Sequence, residues 1–227
     1  MARALVLFDI DGTLIRRAGP HHREALEIAV RRVMGVEATT DGIPTQGMLD
    51  GDILHTMLRA AGVSDRVARR EMPRVMEEAQ RVYDRHAPLC LREKVCPGAR
   101  SVLRKLRRRG VPAGLVTGNL SRIAWRKMRS AGLGGFLGFG AFAESAGHRA
   151  ELARLALAEA RRRGVLDART RVWLVGDHPN DVNAAKANSI GSIAVKTGMS
   201  SHEELAGHTP DLLIDDLRGL ELDTLWR

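Results

Sequence analysis

The stretch "LVLFDIDGTL", residues 5–14, carries the strongest structural signal in this chain. Its apolar run Leu5–Phe8 predicts a strand that is buried on both faces of a parallel sheet. Asp9 and Asp11 follow, and alternate residues of an extended segment point the same way. At an effective dielectric of about 20, two such charges about 4 Å apart repel by roughly 4 kcal/mol. A buried strand that ends in this way needs a compensating partner.

Length and composition set limits on the class of protein. The 227 residues allow one large domain, or a domain that carries a smaller insertion. No apolar run approaches the roughly 20 residues that span a bilayer, and the opening segment offers only a short apolar run before its acids. We therefore expect a cytoplasmic protein without a membrane partner. The two cysteines, Cys90 and Cys96, are expected to be free thiols.

The chain is basic, with 36 Lys and Arg residues against 27 acids and a formal net charge of +9. These cations are spread along the whole chain, and several precede a glycine, where they favour a helix C-terminus. Aromatic residues make up only 4% of the chain. Binding to nucleic acid requires a clustered basic patch, so the composition favours solvated helix faces over a nucleic-acid partner.

The order of the predicted elements indicates an α/β fold. Residues 16–89 carry helical patterns only, with Pro73 expected to separate or kink one of them. From residue 90 onward, apolar runs alternate with helical segments, which is typical of a parallel sheet with helices on both faces. We expect a Rossmann-like core formed by residues 1–15 and 90–227, with residues 16–89 as an inserted all-helical domain. The later strands are predicted at 111–116, 139–143, 171–177, 192–198 and 211–216.

Polar residues follow the predicted strands, and ligands bind beyond the carboxyl ends of strands in an open parallel sheet. Helix capping explains a single aspartate after a strand, but it does not explain why acids from separate strands should meet. Mg²⁺ prefers oxygen ligands, so Asp9, Asp177 and the backbone carbonyl of Asp11 predict a Mg²⁺ site. The residues expected at this edge are Asp9, Asp11, Thr13, Thr117, Gly118, Asn119, Glu144, His148, Arg149, Asp177, His178, Asn180 and Asp181.

Three of these segments carry a resemblance to a known family. "DIDGT" (9–13), "VTGN" (116–119) and "GDHPND" (176–181) resemble the first, second and fourth motifs of the haloacid dehalogenase superfamily. The likeness covers the whole chain and lies in the phosphatase branch, similar to phosphoglycolate phosphatases. The third motif of that family normally supplies a lysine, but no lysine occurs between Lys127 and Lys186. Arg149 occupies the matching place and can grip phosphate with two donors.

The resemblance implies a Mg²⁺-dependent reaction through an aspartyl-phosphate. Asp9 would be the nucleophile and Asp11 the general acid and base. Thr117 and Arg149 would complete the catalytic set, while Gly118 and Asn119 would bind the substrate. The metal residues implied are Asp9, Asp11, Asp177 and Asp181.

Residues 16–89 match the family's cap, which closes over the site and excludes water. Substrate choice is expected there, with His21, His22, Arg23 and the Gln46 loop (44–52) as candidates. A closed pocket favours a small phosphorylated metabolite over a phosphoprotein or nucleic acid. Two alternatives stay open: a sugar-phosphate mutase that uses the same aspartyl-phosphate, and a non-catalytic basic protein that binds nucleic acid or another partner.

Overall fold

The computed structural model describes residues 4–16 and 19–226 and contains a six-stranded sheet. Every pairing between neighbouring strands is parallel. The order across the sheet is β3-β2-β1-β4-β5-β6, so the strand that carries the opening motif lies in the middle. The predicted α/β sheet is thereby confirmed. The strands are β1 (Ala4–Phe8), β2 (Ala113–Val116), β3 (Phe139–Ala141), β4 (Arg171–Gly176), β5 (Gly191–Val195) and β6 (Leu212–Ile214).

Helices cover both faces of the sheet, as the sequence predicts. On β1, Leu5 packs into the cluster that includes Leu152, whereas Val6 faces a second cluster that includes Leu103. This alternation explains why β1 is apolar at every position, since both of its faces are buried. The helices are α1 (His21–Met34), α2 (Asp50–Ala60), α3 (Asp65–His86), α4 (Ala99–Arg108), α5 (Ser121–Ser130), α6 (Arg149–Arg162), α7 (Pro179–Ala187) and α8 (His202–Gly207).

The strand order creates a crevice beyond the carboxyl ends of β1 and β4. From β1 the chain continues to β2 on one side, whereas from β4 it continues to β5 on the other. A reversal of this kind opens a gap between the two connections, which is where parallel sheets bind ligands. Phe8 is in register with Leu115 of β2 and Val175 of β4. The residues that follow these three strands therefore start within one residue of the same level.

Helices α1, α2 and α3 lie between β1 and α4 in the chain, within the segment 16–89 that we call the helical insert. The two ends of this segment run side by side, because the Arg16 N–H donates to Lys94 O (2.7 Å) and the Cys96 N–H donates to Leu14 O (3.0 Å). The separation of residues 16–89 from 1–15 and 90–227 as a domain of its own stays a prediction. Residues 1–3, 17–18 and 227 of these ranges lie outside the described residues.

Helix α3 differs from the sequence prediction because it continues through Pro73 as one element. A proline removes one backbone hydrogen bond from a helix interior. The buried residues Ala68, Val75 and Ala79 lie on both sides of it and pack into the same core cluster. We attribute the continuity to this packing. The expectation that Pro73 separates two pieces is wrong, whereas the alternative expectation of a kink stays a prediction. Within the described residues, no helix combines the length and the apolar character needed to cross a membrane.

Candidate active site

Three carboxylates meet in the crevice beyond β1 and β4. One oxygen from each of Asp9, Asp177 and Asp181 lies within 4.8 Å of the other two, and all three residues are buried. Asp9 follows β1, Asp177 follows β4, and Asp181 lies in the first turn of α7. Asp177 and Asp181 lie 168 and 172 positions after Asp9 in the chain, and the structure brings all three together. They were expected at one edge of the sheet because they follow predicted strands.

Two acids of this cluster have pKa values above the usual range of an aspartate. Burial, reinforced by the charges of Asp9 and Asp181, raises the pKa of Asp177 to about 8. Burial likewise raises the pKa of Asp181, against the opposing charge of Arg149. Three acids held this closely favour a positive partner between them.

A hard divalent cation fits this donor set, because Mg²⁺ binds carboxylate oxygens and usually keeps several water ligands besides them. Asp181 Oδ1 is buried and accepts no hydrogen bond from the described residues, although Arg149 Nε lies 3.3 Å from it. The Thr13 hydroxyl donates to Asp177 Oδ1 at 2.9 Å and holds this carboxylate in place. Mg²⁺ itself stays a proposal.

The turn after β1 requires glycine at position 12. Gly12 has φ +87°, a conformation that costs other residues energy. A Cβ atom at this position would also collide with the Asp177 carboxylate. The "DGT" of the opening motif therefore allows the loop after β1 to approach the end of β4 closely.

Arg149 lies at the first position of α6 and reaches into the carboxylate cluster. Its Nη1 donates to Asp9 Oδ1 at 3.0 Å and approaches Val116 O at 3.4 Å. Its Nε forms an ion pair with Asp181 Oδ1 at 3.3 Å. Although burial opposes the charged form, Asp181 and Asp9 raise the pKa of Arg149, so the guanidinium stays charged. The structure thus brings Arg149 to Asp9 and Asp181, and the role that the resemblance implies for it stays a prediction.

Asp11 is held by a lysine that is not among the residues predicted for the site. Lys127 Nζ donates to Asp11 Oδ1 at 2.8 Å and to Oδ2 at 2.6 Å. The Asn119 amide also donates to Asp11 Oδ2, at 2.8 Å. Burial raises the pKa of Asp11, but Lys127 and His22 outweigh it, so that the net pKa lies below the usual range. The carboxylate of Asp11 is outside the three-acid cluster, which leaves its backbone carbonyl as the candidate metal ligand.

A sequence signal for Lys127 does exist. In α5, Ile123, Ala124 and Met128 are buried at helical spacing, and Lys127 falls on the same stripe. A lysine is almost never fully buried unless it is paired. A cation in the apolar stripe of the helix that follows "VTGN" therefore indicates a buried acidic partner.

The loop after β2 forms the opposite wall of the crevice. Thr117 is fully buried, and its Oγ1 accepts from the Asn119 side-chain amide at 2.8 Å. Gly118 lies so close to Met48 of the helical insert that a Cβ atom would collide with the Met48 carbonyl oxygen. Gly118 and Asn119 reach the cavity surface, whereas Thr117 lies outside the described cavity wall.

A cavity of about 710 Å³ opens between these loops and the helical insert. His22, Arg23 and Gln46 of the insert line it together with Asp9, Asp11 and Arg149. His21 is not brought to this wall in the described part of the chain; its ring lies 3.6 Å from Glu24 and is 37% exposed. Of the candidates in the insert, the structure thus brings His22, Arg23 and Gln46 to the candidate site but not His21.

Hydrogen bonds link the insert to the sheet at this cavity. Asp50 Oδ2 accepts from the Leu120 N–H at 2.8 Å and lies 3.0 Å from His22 Nε2. The Asp50 N–H donates to Gly118 O at 2.7 Å. On the other side, the Asn180 amide donates to Gly47 O at 3.0 Å. Asp50 lies in the candidate loop 44–52, but its hydrogen bonds are not predicted from the sequence, because they depend on how the insert packs over the sheet.

The remaining predicted polar residues serve as local caps. The side chains of His148 and His178 accept backbone N–H groups at the starts of α6 and α7. Glu144 accepts from the Ser121 N–H at 3.1 Å. These contacts are typical of helix N-termini, so the residues shape the loops around the site.

A family model and individual known proteins both match most of this chain. A family model described as haloacid dehalogenase-like hydrolase matches residues 4–188. A phosphoglycolate phosphatase of Pseudomonas putida is 28% identical over 226 residues, covering 95% of this chain and 78% of that protein. The phosphoglycolate phosphatase of Pseudomonas fluorescens is 28% identical over 221 residues, with the same coverage.

Solved structures share the fold at low identity. The β-phosphoglucomutase of Clostridium difficile has a TM-score of 0.69 and 18% identity, covering 99% of this chain and 95% of that one. A predicted phosphoglycolate phosphatase of Haemophilus somnus has a TM-score of 0.65 and 17% identity, covering 96% of each chain.

Proposed function

This chain belongs to the haloacid dehalogenase-like hydrolase family, and we propose that it is a Mg²⁺-dependent phosphatase that hydrolyses small phosphomonoesters through an aspartyl-phosphate on Asp9. The observation that carries this proposal is the meeting of Asp9, Asp177 and Asp181 with Arg149 at the base of a cavity. The likeness to curated phosphoglycolate phosphatases supports the phosphatase branch.

Asp9 is the proposed nucleophile. Its carboxylate lies at the cavity, and Arg149 fixes the orientation of Oδ1. An oxygen of Asp9 attacks the phosphorus, and the bond from phosphorus to the leaving oxygen breaks with its electron pair on that oxygen. The guanidinium of Arg149 is placed to balance the negative charge that the transferred group brings.

Asp11 is the proposed acid and base. A bound phosphate adds negative charge beside Asp11, which favours its protonated form. Asp11 then gives its proton to the leaving oxygen, and it later takes a proton from the water that attacks the phosphorus of the intermediate. That attack releases inorganic phosphate and restores the Asp9 carboxylate.

Mg²⁺ would be held by the Asp9 and Asp177 carboxylates, with Asp181 beside them and the Asp11 carbonyl as a further oxygen. When bound, the ion would neutralise negative charge on the phosphate and help to align it. Gly118 and Asn119, which line the opposite wall, would bind phosphate oxygens. The Thr117 hydroxyl, which is buried behind them, would support this loop through its hydrogen bond with the Asn119 amide.

The helical insert is the proposed cap, and Arg23 and Gln46 are its proposed substrate-binding residues. Both line a cavity of about 710 Å³ that the insert and the sheet enclose together. A cavity of this size suits a small metabolite. We propose a small phosphorylated metabolite as substrate, with phosphoglycolate as one candidate because the curated relatives carry that name.

The proposal is tested by phosphate release from p-nitrophenyl phosphate and a panel of phosphorylated metabolites, each with Mg²⁺ and with EDTA. Asp9→Asn should abolish turnover at an unchanged circular dichroism spectrum. Asp41→Asn, which removes an exposed acid of the insert, is the matched control and should leave turnover unchanged. Turnover by Asp9→Asn, or turnover in EDTA, would contradict the proposal.

A sugar-phosphate mutase would use the same Asp9 and Asp11 chemistry, so product analysis separates the two. A phosphatase releases inorganic phosphate in proportion to substrate consumed, whereas a mutase yields an isomeric ester with little free phosphate. A non-catalytic binding protein would give neither product and would show salt-sensitive retention on DNA or on a partner.

A further inference from the structure

Lys127 is buried at the candidate site to an extent that calls for a physical reason. The residue is 1% exposed, although it carries a flexible charged chain. Removing an ammonium group from water is costly unless partners replace the water. Lys127 lies in the buried stripe of α5 together with Ile123, Ala124 and Met128. Its partners must therefore lie inside the site.

Those partners are functional groups of the crevice. Nζ contacts both oxygens of Asp11, at 2.8 and 2.6 Å, and Asn119 Oδ1 at 2.6 Å. It also lies 3.3 Å from His22 Nδ1 of the helical insert. Asn119 contacts Asp11 in turn through its amide. The Asp11 carboxylate is thus held from two directions, by Lys127 and by Asn119.

The side chain of Asp11 is 38% exposed, whereas that of Lys127 is 2% exposed. Both residues line the cavity. A carboxylate in this position has freedom to rotate toward solvent unless something holds it, and a fixed ammonium group removes that freedom. Acid–base catalysis depends on such placement, because the proton must be transferred over hydrogen-bond distance.

We propose that Lys127 is a positioning residue that orients the Asp11 carboxylate for proton transfer to and from the leaving oxygen. This inference rests on the proposed function, since it assumes that Asp11 is the acid and base. Each of these two buried cations then orients a different carboxylate: Arg149 orients Asp9, and Lys127 orients Asp11.

A different role for Lys127 would be direct contact with the phosphate or with an anionic group of the substrate. The two roles differ in their dependence on Asp11. If Lys127 acts through Asp11, its removal has no further effect once Asp11 has lost its function. If Lys127 contacts the substrate, its removal lowers activity with or without Asp11.

The two roles can be separated by measuring the kinetics of two phosphate esters whose leaving groups carry no anionic substituent. Phenyl phosphate and p-nitrophenyl phosphate carry the same phosphate and no second anion, but phenolate is the poorer leaving group and needs protonation more. Lys127→Met should lower kcat/KM for phenyl phosphate by about tenfold or more, and for p-nitrophenyl phosphate by less. Asp11→Asn should change the ratio of the two esters in the same direction. Lys127→Met in the Asp11→Asn background should add nothing.

Two further variants test whether the effect depends on the charge and on the position of Lys127. Lys127→Arg keeps the charge and should recover part of the loss. Arg129→Met removes an exposed cation of the same helix and should behave as the wild type. Equal losses on both esters, or a further loss in the Asp11→Asn background, would overturn the positioning role.

A second measurement does not depend on turnover. The chain has only five lysines, so NMR of ¹⁵N-labelled lysine side chains can assign the Lys127 ammonium group by its loss in Lys127→Met. We expect a signal protected from solvent exchange that shifts in Asp11→Asn. An ammonium signal that Asp11→Asn leaves unchanged would refute the contact. If wild-type protein releases phosphate from neither ester, the proposed function fails and this inference fails with it; the other adverse outcomes refute the inference alone.

Discussion

Arg149 Nη1 donates a 3.0 Å hydrogen bond to Asp9 Oδ1 across 140 positions of sequence. Both side chains are 7% exposed, so the pair is shielded from water. Exposed ion pairs contribute little, but a charge removed from a buried pair leaves its partner uncompensated. This relationship makes Arg149 the residue whose loss most directly affects the proposed nucleophile.

Arg149→Met should lower kcat by a factor of about 100 to 1,000, the usual effect of removing one preorganised donor. Arg149→Lys should retain part of the activity, because it keeps the charge without the two-donor geometry. Steady-state phosphate release measures both. Arg154→Met, an exposed position of the same helix, is the control and should match the wild type. Wild-type kcat in Arg149→Met would rule out its role at Asp9.

The metal-free protein should lose thermal stability as pH rises. The pKa of Asp177 is raised to about 8 in the folded state, whereas an unfolded aspartate titrates near a pKa of about 4. Protonated Asp177 therefore favours the folded state at low pH, and this contribution is lost between about pH 4 and pH 8. Mg²⁺ should raise Tm more at about pH 8 than at about pH 6, since it competes with protons for the same oxygens.

Differential scanning fluorimetry with and without Mg²⁺ checks this prediction. Asp177→Asn should weaken the pH dependence and remove most of the Mg²⁺ effect. Asp215→Asn, a more exposed acid near the end of the chain, should retain both. An equal Tm increase at the two pH values in wild-type protein would show that the three-acid cluster does not bind the ion.

Gly12→Ala should lose activity as well as stability. Its positive φ costs an alanine about 1 to 2 kcal/mol, and the added Cβ displaces the Asp177 carboxylate. Gly42→Ala is a matched control, because Gly42 has φ +78° but open space around it. Urea unfolding should show a stability loss in both, and phosphate release should fall only in Gly12→Ala. Full activity in Gly12→Ala would indicate that the turn has no part in placing Asp177.

Arg23→Met should raise KM for the best phosphorylated probe of the panel by about tenfold and leave kcat nearly unchanged, as expected for binding energy shared by ground and transition states. His21→Ala should change neither constant, because the structure places His21 on the surface beside Glu24. Steady-state kinetics gives KM and kcat for both variants, and the comparison is direct because His21 and Arg23 lie in the first turn of the same helix. A change in kcat alone for Arg23→Met would place Arg23 in the chemical step.

The sheet and its acidic edge could be predicted from the sequence because they follow from local signals. An apolar run of strand length identifies β1, and the carboxyl ends of parallel strands share an edge, so Asp9 and Asp177 were expected together. All five later strands come out shorter than predicted: β2 begins at Ala113, β3 ends at Ala141, β4 ends at Gly176, β5 ends at Val195, and β6 spans Leu212–Ile214. A sequence pattern identifies a strand better than it fixes the residue at which the strand ends.

What the sequence could not supply depends on helix orientation. Adjacent residues of a helix point about 100° apart, so small differences in how α1 packs decide whether His21 or His22 reaches the cavity. The apolar stripe of α5 indicates that Lys127 is buried, but it does not identify Asp11 as the partner. Pro73 shows the opposite case, since packing on both sides of it maintains a helix that a local rule would interrupt.

The paired entry and exit of the helical insert, where Arg16 meets Lys94 and Leu14 meets Cys96, has an evolutionary consequence. A segment whose two ends lie side by side can be lengthened, shortened or exchanged without changing the register of any strand. Under the proposed roles, the residues that choose the substrate can therefore change with the insert while the carboxylates that follow the strands stay in place, as long as the contacts of Asp50 and His22 with the core are kept.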